Sequence, residues 1–343
     1  SSLKTIPTVL MERRLEFNKL VIPQLIETFL FNIIVVILAW KGFGITSFTI
    51  AVLVRSFSGL IITYLIQPWL PGLAFSIAAL KSILRFGIPY QINTLLAMVK
   101  DDGMTLFLGT ILGSGGIGLL AWAQKWAFAP LRFFMDQVIK VTFPAFSRLQ
   151  DNKKELSNAV SKSVLYICLL VFPSLVMLVM LAPSLVEIIP KYNKWSPALL
   201  PLTFLTVTSA LAAITTPMTN TFNAIGKISL TFKLMVMWTV LTWLFVPILS
   251  INFGINGAAF GFTLVGLSSV VALMIALKYV QINYLEIVGK PLIVSISVGI
   301  VVFVIKVLMA TSVIQVLSMI VGGGVTFTVA ILLVEPKILN FLK

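Results

Sequence analysis

The chain has 343 residues, 59% hydrophobic and 10% charged, with a mean hydropathy of +1.07; soluble domains carry about a quarter charged residues, so this is a polytopic membrane protein. Its formal charge of +14 would suggest nucleic acid in a soluble protein, but here most basic residues are explained by their position relative to the membrane. One cysteine, Cys168 in an apolar run, and a complete lack of histidine exclude a disulfide framework, His-based acid–base catalysis and His metal ligation, and nothing calls for a cofactor.

Residues 1–20 are amphipathic and basic through Lys4, Arg13, Arg14 and Lys19, and are expected to lie on anionic headgroups. The polar start, without an initiator Met or a signal-peptide pattern, suggests that sequence precedes Ser1. Val21 to Trp40 is long enough to cross a core of roughly 30 Å. A Gly-Phe-Gly turn at 42–44 returns the chain through Ile45 to Ile66, with Arg55 near mid-depth. Gln67 to Arg85 holds two prolines and reads as a loop, its Lys81 and Arg85 flanking the next helix.

Two charged apolar spans follow, 86–112 and 117–146, joined by Gly113-Ser114-Gly115-Gly116. No Lys-Ser/Thr follows that turn, which separates it from a phosphate loop. The first span holds Lys100, Asp101 and Asp102; the second holds Lys125, Arg132, Asp136 and Lys140, which at about 100° per residue fall on one stripe. A centrally placed charge costs roughly 2.5–3.5 kcal/mol in lipid, so the pair reads as one wall of a transport path. After a charged connector, Arg148 to Lys162, spans run near 163–183, 197–222, 234–252, 257–279, 291–310 and 315–334. Pro173, Pro201 and Pro217 lie inside apolar runs, where neighbouring helices satisfy the freed backbone. The expectation is an all-α protein of about ten transmembrane helices.

Alternate loops separate in charge. Those on the side of the N-terminus hold most of the basic residues, whereas the opposite loops hold Lys41, Lys191 and Lys194, so both ends of this chain are expected in the cytoplasm. Phe43-Gly44-Ile45 is echoed six spans later by Phe253-Gly254-Ile255, each at the hinge of a short outer hairpin. An even offset keeps orientation, as parallel repeats in transporters do. With a six-helix unit, about four helices would precede residue 1.

IPTVLMERRLEFNKL (6–20), LRFGIPYQINTLL (84–96), GLLAWAQKWAFAPLRFF (118–134), VTFPAFSRLQDNKKEL (141–156) and NAIGKISLTFKL (223–234) resemble, in order, the signature stretches of bacterial polysaccharide transporters. These are Wzx-type flippases of lipid-linked oligosaccharides, within the multidrug, oligosaccharidyl-lipid and polysaccharide exporter superfamily. The resemblance implies a MATE-like fold of two six-helix lobes around a central cavity. Residues 1–67 would end the first lobe, 68–85 form a cytoplasmic inter-lobe loop, 86–279 the second lobe, and 280–343 two additional helices and a cytoplasmic tail. Gly109-Thr-Ile-Leu-Gly113 matches the family's seventh helix, but Asp101 and Asp102 lie further upstream than its usual acidic residue.

The cargo implied is a polyprenyl diphosphate bearing a short glycan, moved from the cytoplasmic to the outer leaflet of an inner membrane for cell-surface polysaccharides such as O-antigen. Implied partners are that glycan lipid, membrane lipids and a polysaccharide polymerase complex. Arg55, Lys100, Lys125, Arg132 and Lys140 against Asp101, Asp102 and Asp136 leave a positive surplus at mid-depth, which suits an anionic head group. Lys100, Lys125, Arg132 and Arg55 are the candidate head-group contacts. Asp101, Asp102 and Asp136 are read as salt-bridge partners or an ion-coupling site, and the i,i+4 pairs Arg132–Asp136 and Asp136–Lys140 could simply neutralise one another. Asn93, Gln124, Gln91, Asn220 and Asn223 are candidate sugar contacts; Trp122 and Trp126 either stack on sugars or pack. Alternatives stay open: a lipid II flippase or multidrug antiporter of the same superfamily, a membrane-embedded glycosyltransferase or polymerase, or a structural scaffold. Transport itself requires no covalent chemistry, so the chain is not expected to be an enzyme.

Overall fold

A computed structural model of the chain describes residues 2–14, 16–70, 72 and 76–335, and every regular element among them is helical. Eight stretches are long and apolar enough to cross a membrane. Two of them, Thr94–Asp136 and Ile228–Ala276, are about twice as long as a ~30 Å core requires. Glycine breaks both: Gly113 (φ 67°, ψ 176°) within α5 (Met104–Arg148) and Gly254 (φ 58°, ψ −139°) within α8 (Ile228–Leu267). The break in α8 reverses the chain. Gly257 lies against the Leu249 carbonyl and Gly261 against the Val246 backbone, pairs that a continuous helix would hold about 12 and 22 Å apart. Among the described residues there are thus eight such stretches where about ten were expected, and the two broken ones are each long enough for two crossings. Gly44 and Gly254, the centres of the sequence echo, both take left-handed φ, 54° and 58°.

The chain divides into two compact units, Ser1–Leu80 and Lys81–Lys343. In the first, α2 (Phe17–Trp40) and α3 (Thr46–Ile66) form a hairpin, and α1 (Thr5–Arg13) packs against both. Met11 is fully buried, and the Tyr64 hydroxyl donates to the Leu3 carbonyl at 3.1 Å. Lys4 pairs with Glu27, a carboxylate only 6% exposed. Residues 2–13 are therefore docked on the hairpin, with Leu3, Ile6 and Val9 left exposed. The reason is electrostatic, because a buried carboxylate demands a cation and Lys4 supplies one.

The boundary between the units falls within α4 (Ile77–Met98), so residues 77–85, expected in a loop, are helical and Lys81 lies inside the helix. A π-helical turn, Val99–Gly103, joins α4 to α5 and carries Lys100, Asp101 and Asp102. The charged connector expected over 148–162 shrinks to four residues, because α5 runs to Arg148 and α6 (Lys153–Ile188) starts at once. Asn152 caps α6, its side-chain oxygen accepting from the Glu155 N–H at 3.2 Å, with Glu155 three residues on as the capping-box pattern requires. A 3-10 turn, Tyr192–Ala198, leads into α7 (Leu199–Ala224), followed by α8 and α9 (Val270–Ala276). The main core lies between α6, α7 and α9 around Val164, Cys168, Phe222 and Ala276. α10 (Tyr284–Leu308) and α11 (Val313–Val334) pack on α6 through Leu181, Val298, Val302 and Met319. Lys290 ties their ends together, 2.7 Å from Glu335 and 3.8 Å from Glu286.

Candidate functional site

A cavity of about 520 Å³ opens in the second unit, lined by the π-helical turn, α5, α7, α8 and the start of α9. Its size falls within the range of roughly 300–1,000 Å³ usual for small-molecule sites. It gathers five of the residues singled out in the sequence: Lys100, Asp101, Asp102, Gln124 and Arg132. The π-helical turn is what brings the first three together, since widening the helix by one residue per turn re-aims consecutive side chains.

The charges at this cavity balance. Lys100 pairs with its neighbour Asp101, and Arg132 is offset by Asp102. The positive surplus counted along the sequence does not collect here, because Lys125 and Asp136 are exposed on α5 outside the lining. Helical geometry explains this: taking Arg132 as origin, Phe128 and Gln124 lie about 40° and 80° to one side, and Lys125, Asp136 and Lys140 about 20°, 40° and 80° to the other. The cavity takes the Gln124–Phe128–Arg132 face, with Arg132 at the boundary between the two. Arg132 and Asp136 form no ion pair among the described residues. The side chains of Lys140 and Asn93 lie outside the described residues.

The other candidates lie outside this cavity. Arg55, in the first unit, is 3.6 Å from Glu27 and sits 5.7 Å over the Phe31 ring. Trp122 stacks on Trp195 of the 3-10 turn (5.4 Å, 13°) and meets Trp126 edge-on at 6.4 Å. Asn223 accepts from the Thr231 hydroxyl at 2.8 Å. Gln91 and Asn220 are not in the cavity lining.

Hydroxyls are what the sequence reading missed. On α7, Thr208, Thr215, Thr216 and Thr219 recur at helical spacing on the face that lines the cavity; Thr105, Thr242 and Ser269 complete it from other elements. The spacing is visible in LTVTSALAAITTPMT, but a threonine in a membrane helix normally returns its hydrogen to its own backbone and attracts no notice. Trp238 also belongs to the lining, and its indole N–H is buried without a partner among the described residues.

Residues 1–200 match the family model described as "Polysaccharide biosynthesis protein". The chain is similar to the lipopolysaccharide biosynthesis protein WzxC of Escherichia coli (strain K12), 29% identical over 198 residues, which are 57% of this chain and 39% of that protein. It is also similar to the succinoglycan biosynthesis transport protein ExoT of Rhizobium meliloti (strain 1021), 24% identical over 164 residues, 48% of this chain and 33% of that one. The chain thus spans about two fifths or less of the length of these curated relatives. Among solved structures, the lipid II flippase MurJ in an inward closed conformation superposes with a TM-score of 0.66 over 90% of this chain and 67% of that one; at 16% identity this shows a shared fold. With more than half of its length matched, this all-α, multi-pass membrane protein belongs to the polysaccharide biosynthesis protein family.

Proposed function

We propose that the chain is part of a flippase that moves polyprenyl-diphosphate-linked oligosaccharide units from the cytoplasmic to the outer leaflet of a bacterial or archaeal inner membrane. The observation that carries this is a charged and hydroxyl-lined cavity of about 520 Å³ within a membrane-spanning helical bundle, in a chain of the polysaccharide biosynthesis family. A polar head group cannot cross hydrocarbon unaided, and polar side chains at membrane depth are retained where they line its route. The names of WzxC and ExoT, lipopolysaccharide biosynthesis and succinoglycan transport, support a glycan cargo.

In this reading residues 1–67 close a first lobe, 86–279 form a second, and 280–343 add a helix pair, with both ends of the chain in the cytoplasm. The lobes rock about the site by alternating access. Of the expected diphosphate contacts, Arg132 keeps the role, standing at the cavity edge without an acidic partner; Lys100 is committed to Asp101. Asp101 serves as that partner. A polymerase complex would take the product on the far side.

The test is movement of a labelled lipid-linked oligosaccharide in proteoliposomes carrying the full-length gene product, read as loss of accessibility to a membrane-impermeant reagent. Movement by the folded wild type, reduced by Arg132→Ala, is expected. If only lipid II moves, the cargo is lipid II; if the folded wild type moves neither, the flippase reading is overturned.

A further inference from the structure

We propose that the hydroxyl face of this cavity is a subsite for uncharged sugar residues and discriminates against sugars that bear a carboxylate. The inference rests on the flippase reading above and adds a selectivity to it.

The argument is an inventory of donors and acceptors. A diphosphate offers only acceptors and calls for donors and cations; a metal cation calls for acceptors alone; a neutral sugar hydroxyl both donates and accepts. The lining matches the third pattern. Thr105 gives its hydrogen to the Asp101 carbonyl at 2.8 Å, Thr215 to Leu211 at 3.0 Å and Thr219 to Thr216 at 2.9 Å, so these three turn only lone pairs outward. Thr216, Thr242 and Ser269 also line the cavity, and their hydroxyls make no hydrogen bond among the described residues, so they can donate or accept. Asp101 and Asp102 add exposed carboxylate acceptors, suited to neighbouring sugar hydroxyls. Phe128 and Phe262 supply the apolar surface against which the C–H face of a sugar ring packs.

The same inventory works against an anion. Lys100 already holds Asp101, which leaves Arg132 at one edge as the cation open to a ligand and Asp102 as an open carboxylate. A sugar carboxylate placed on the α7 face would meet the lone pairs of Thr215 and Thr219, whose hydrogens are already given away, and the open Asp102 carboxylate, a like charge that repels it. The diphosphate belongs at the Arg132 edge, and the glycan reaches inward from there.

The experiment uses the full-length gene product in proteoliposomes and three probes: a polyprenyl diphosphate with a neutral hexose trisaccharide, the same carrier with one hexose replaced by a hexuronic acid, and the carrier with no sugar. The neutral glycan is expected to move about three- to tenfold faster than the acidic one, the scale of one or two hydrogen bonds. Asp102→Asn should narrow that ratio. Thr216→Val should slow the neutral glycan by a similar factor while leaving the sugar-free carrier unchanged, and Thr216→Ser should restore it; a mere folding defect would slow all probes alike. Equal rates for neutral and acidic glycans, or no effect of Thr216→Val, would overturn the subsite while leaving the flippase reading intact. If the folded wild type moves no glycan-bearing probe, both fall.

Discussion

Gly59 of α3 faces the Glu27 carboxylate of α2 so closely that a β-carbon at position 59 would collide with Oε1. The notch lets a buried acid settle between two helices and meet Lys4 and Arg55 together. In an exposed helix Gly→Ala adds about 1 kcal/mol through propensity. Here the sign should reverse: Gly59→Ala must push Glu27 out of its place, and a loss of about 1–3 kcal/mol is expected from overpacking. Thermal unfolding of the detergent-solubilised protein checks it, and a rise in midpoint would contradict the packing described.

Which member of that cluster matters most follows from exposure. The Glu27 side chain is 8% exposed, against 29% for Lys4 and 47% for Arg55. Lys4→Met leaves the most buried charge with only the longer 3.6 Å contact to Arg55; Glu27→Gln leaves two cations that can reach polar surroundings along their stems. Lys4→Met is therefore expected to destabilise more than Glu27→Gln, and the double variant to recover most of the loss. A double-mutant cycle on unfolding midpoints reads this directly.

Much of this architecture is legible in the sequence, and the limits are physical. Span lengths follow from bilayer thickness, and the glycines at 113 and 254 announce the breaks because few residues tolerate left-handed φ. The charged pair of spans is visible, and five of its residues do meet at one cavity. Spacing along a single helix says which residues share a stripe and not where a cavity wall cuts across it, so Arg132 lines the cavity and Lys125, about 20° away, does not. Arg55 looks unpartnered in the sequence because Glu27 lies on a different helix, and the Trp122–Trp195 stack joins residues far apart in the chain. Threonines escape notice because each is individually cheap to place in a membrane helix; only their convergence makes a surface.

The hairpin inside α8 separates two roles for glycine. At Gly254 nothing lies within 4 Å of the position a β-carbon would take, and the backbone angle alone is at issue; at Gly257 a β-carbon would meet the Leu249 carbonyl. Gly254→Ala should cost about 1–2 kcal/mol in left-handed strain. Gly257→Ala should cost more, because backbone cannot move aside as a side chain can. Comparing the unfolding midpoints of the two variants decides between strain and packing as the larger constraint on the turn.

Transport kinetics can separate the stripe on α5 into its two faces. Arg132 stands at the cavity, while Lys125 and Asp136 point away from it although all three share a helix. If the cargo's diphosphate is met at the cavity edge, Arg132→Ala removes a charge-assisted contact of about 1.5–3 kcal/mol, a loss of about tenfold or more in flipping rate. Lys125→Ala and Asp136→Asn should stay within about twofold of wild type. Each variant is compared at matched insertion into proteoliposomes, so that a loss of rate is not a loss of protein. A result in which Lys125→Ala is as damaging as Arg132→Ala would move the path off the Gln124–Phe128–Arg132 face onto the adjoining Lys125–Asp136 side of α5, and the hydroxyl wall of α7 would then have no part in transport.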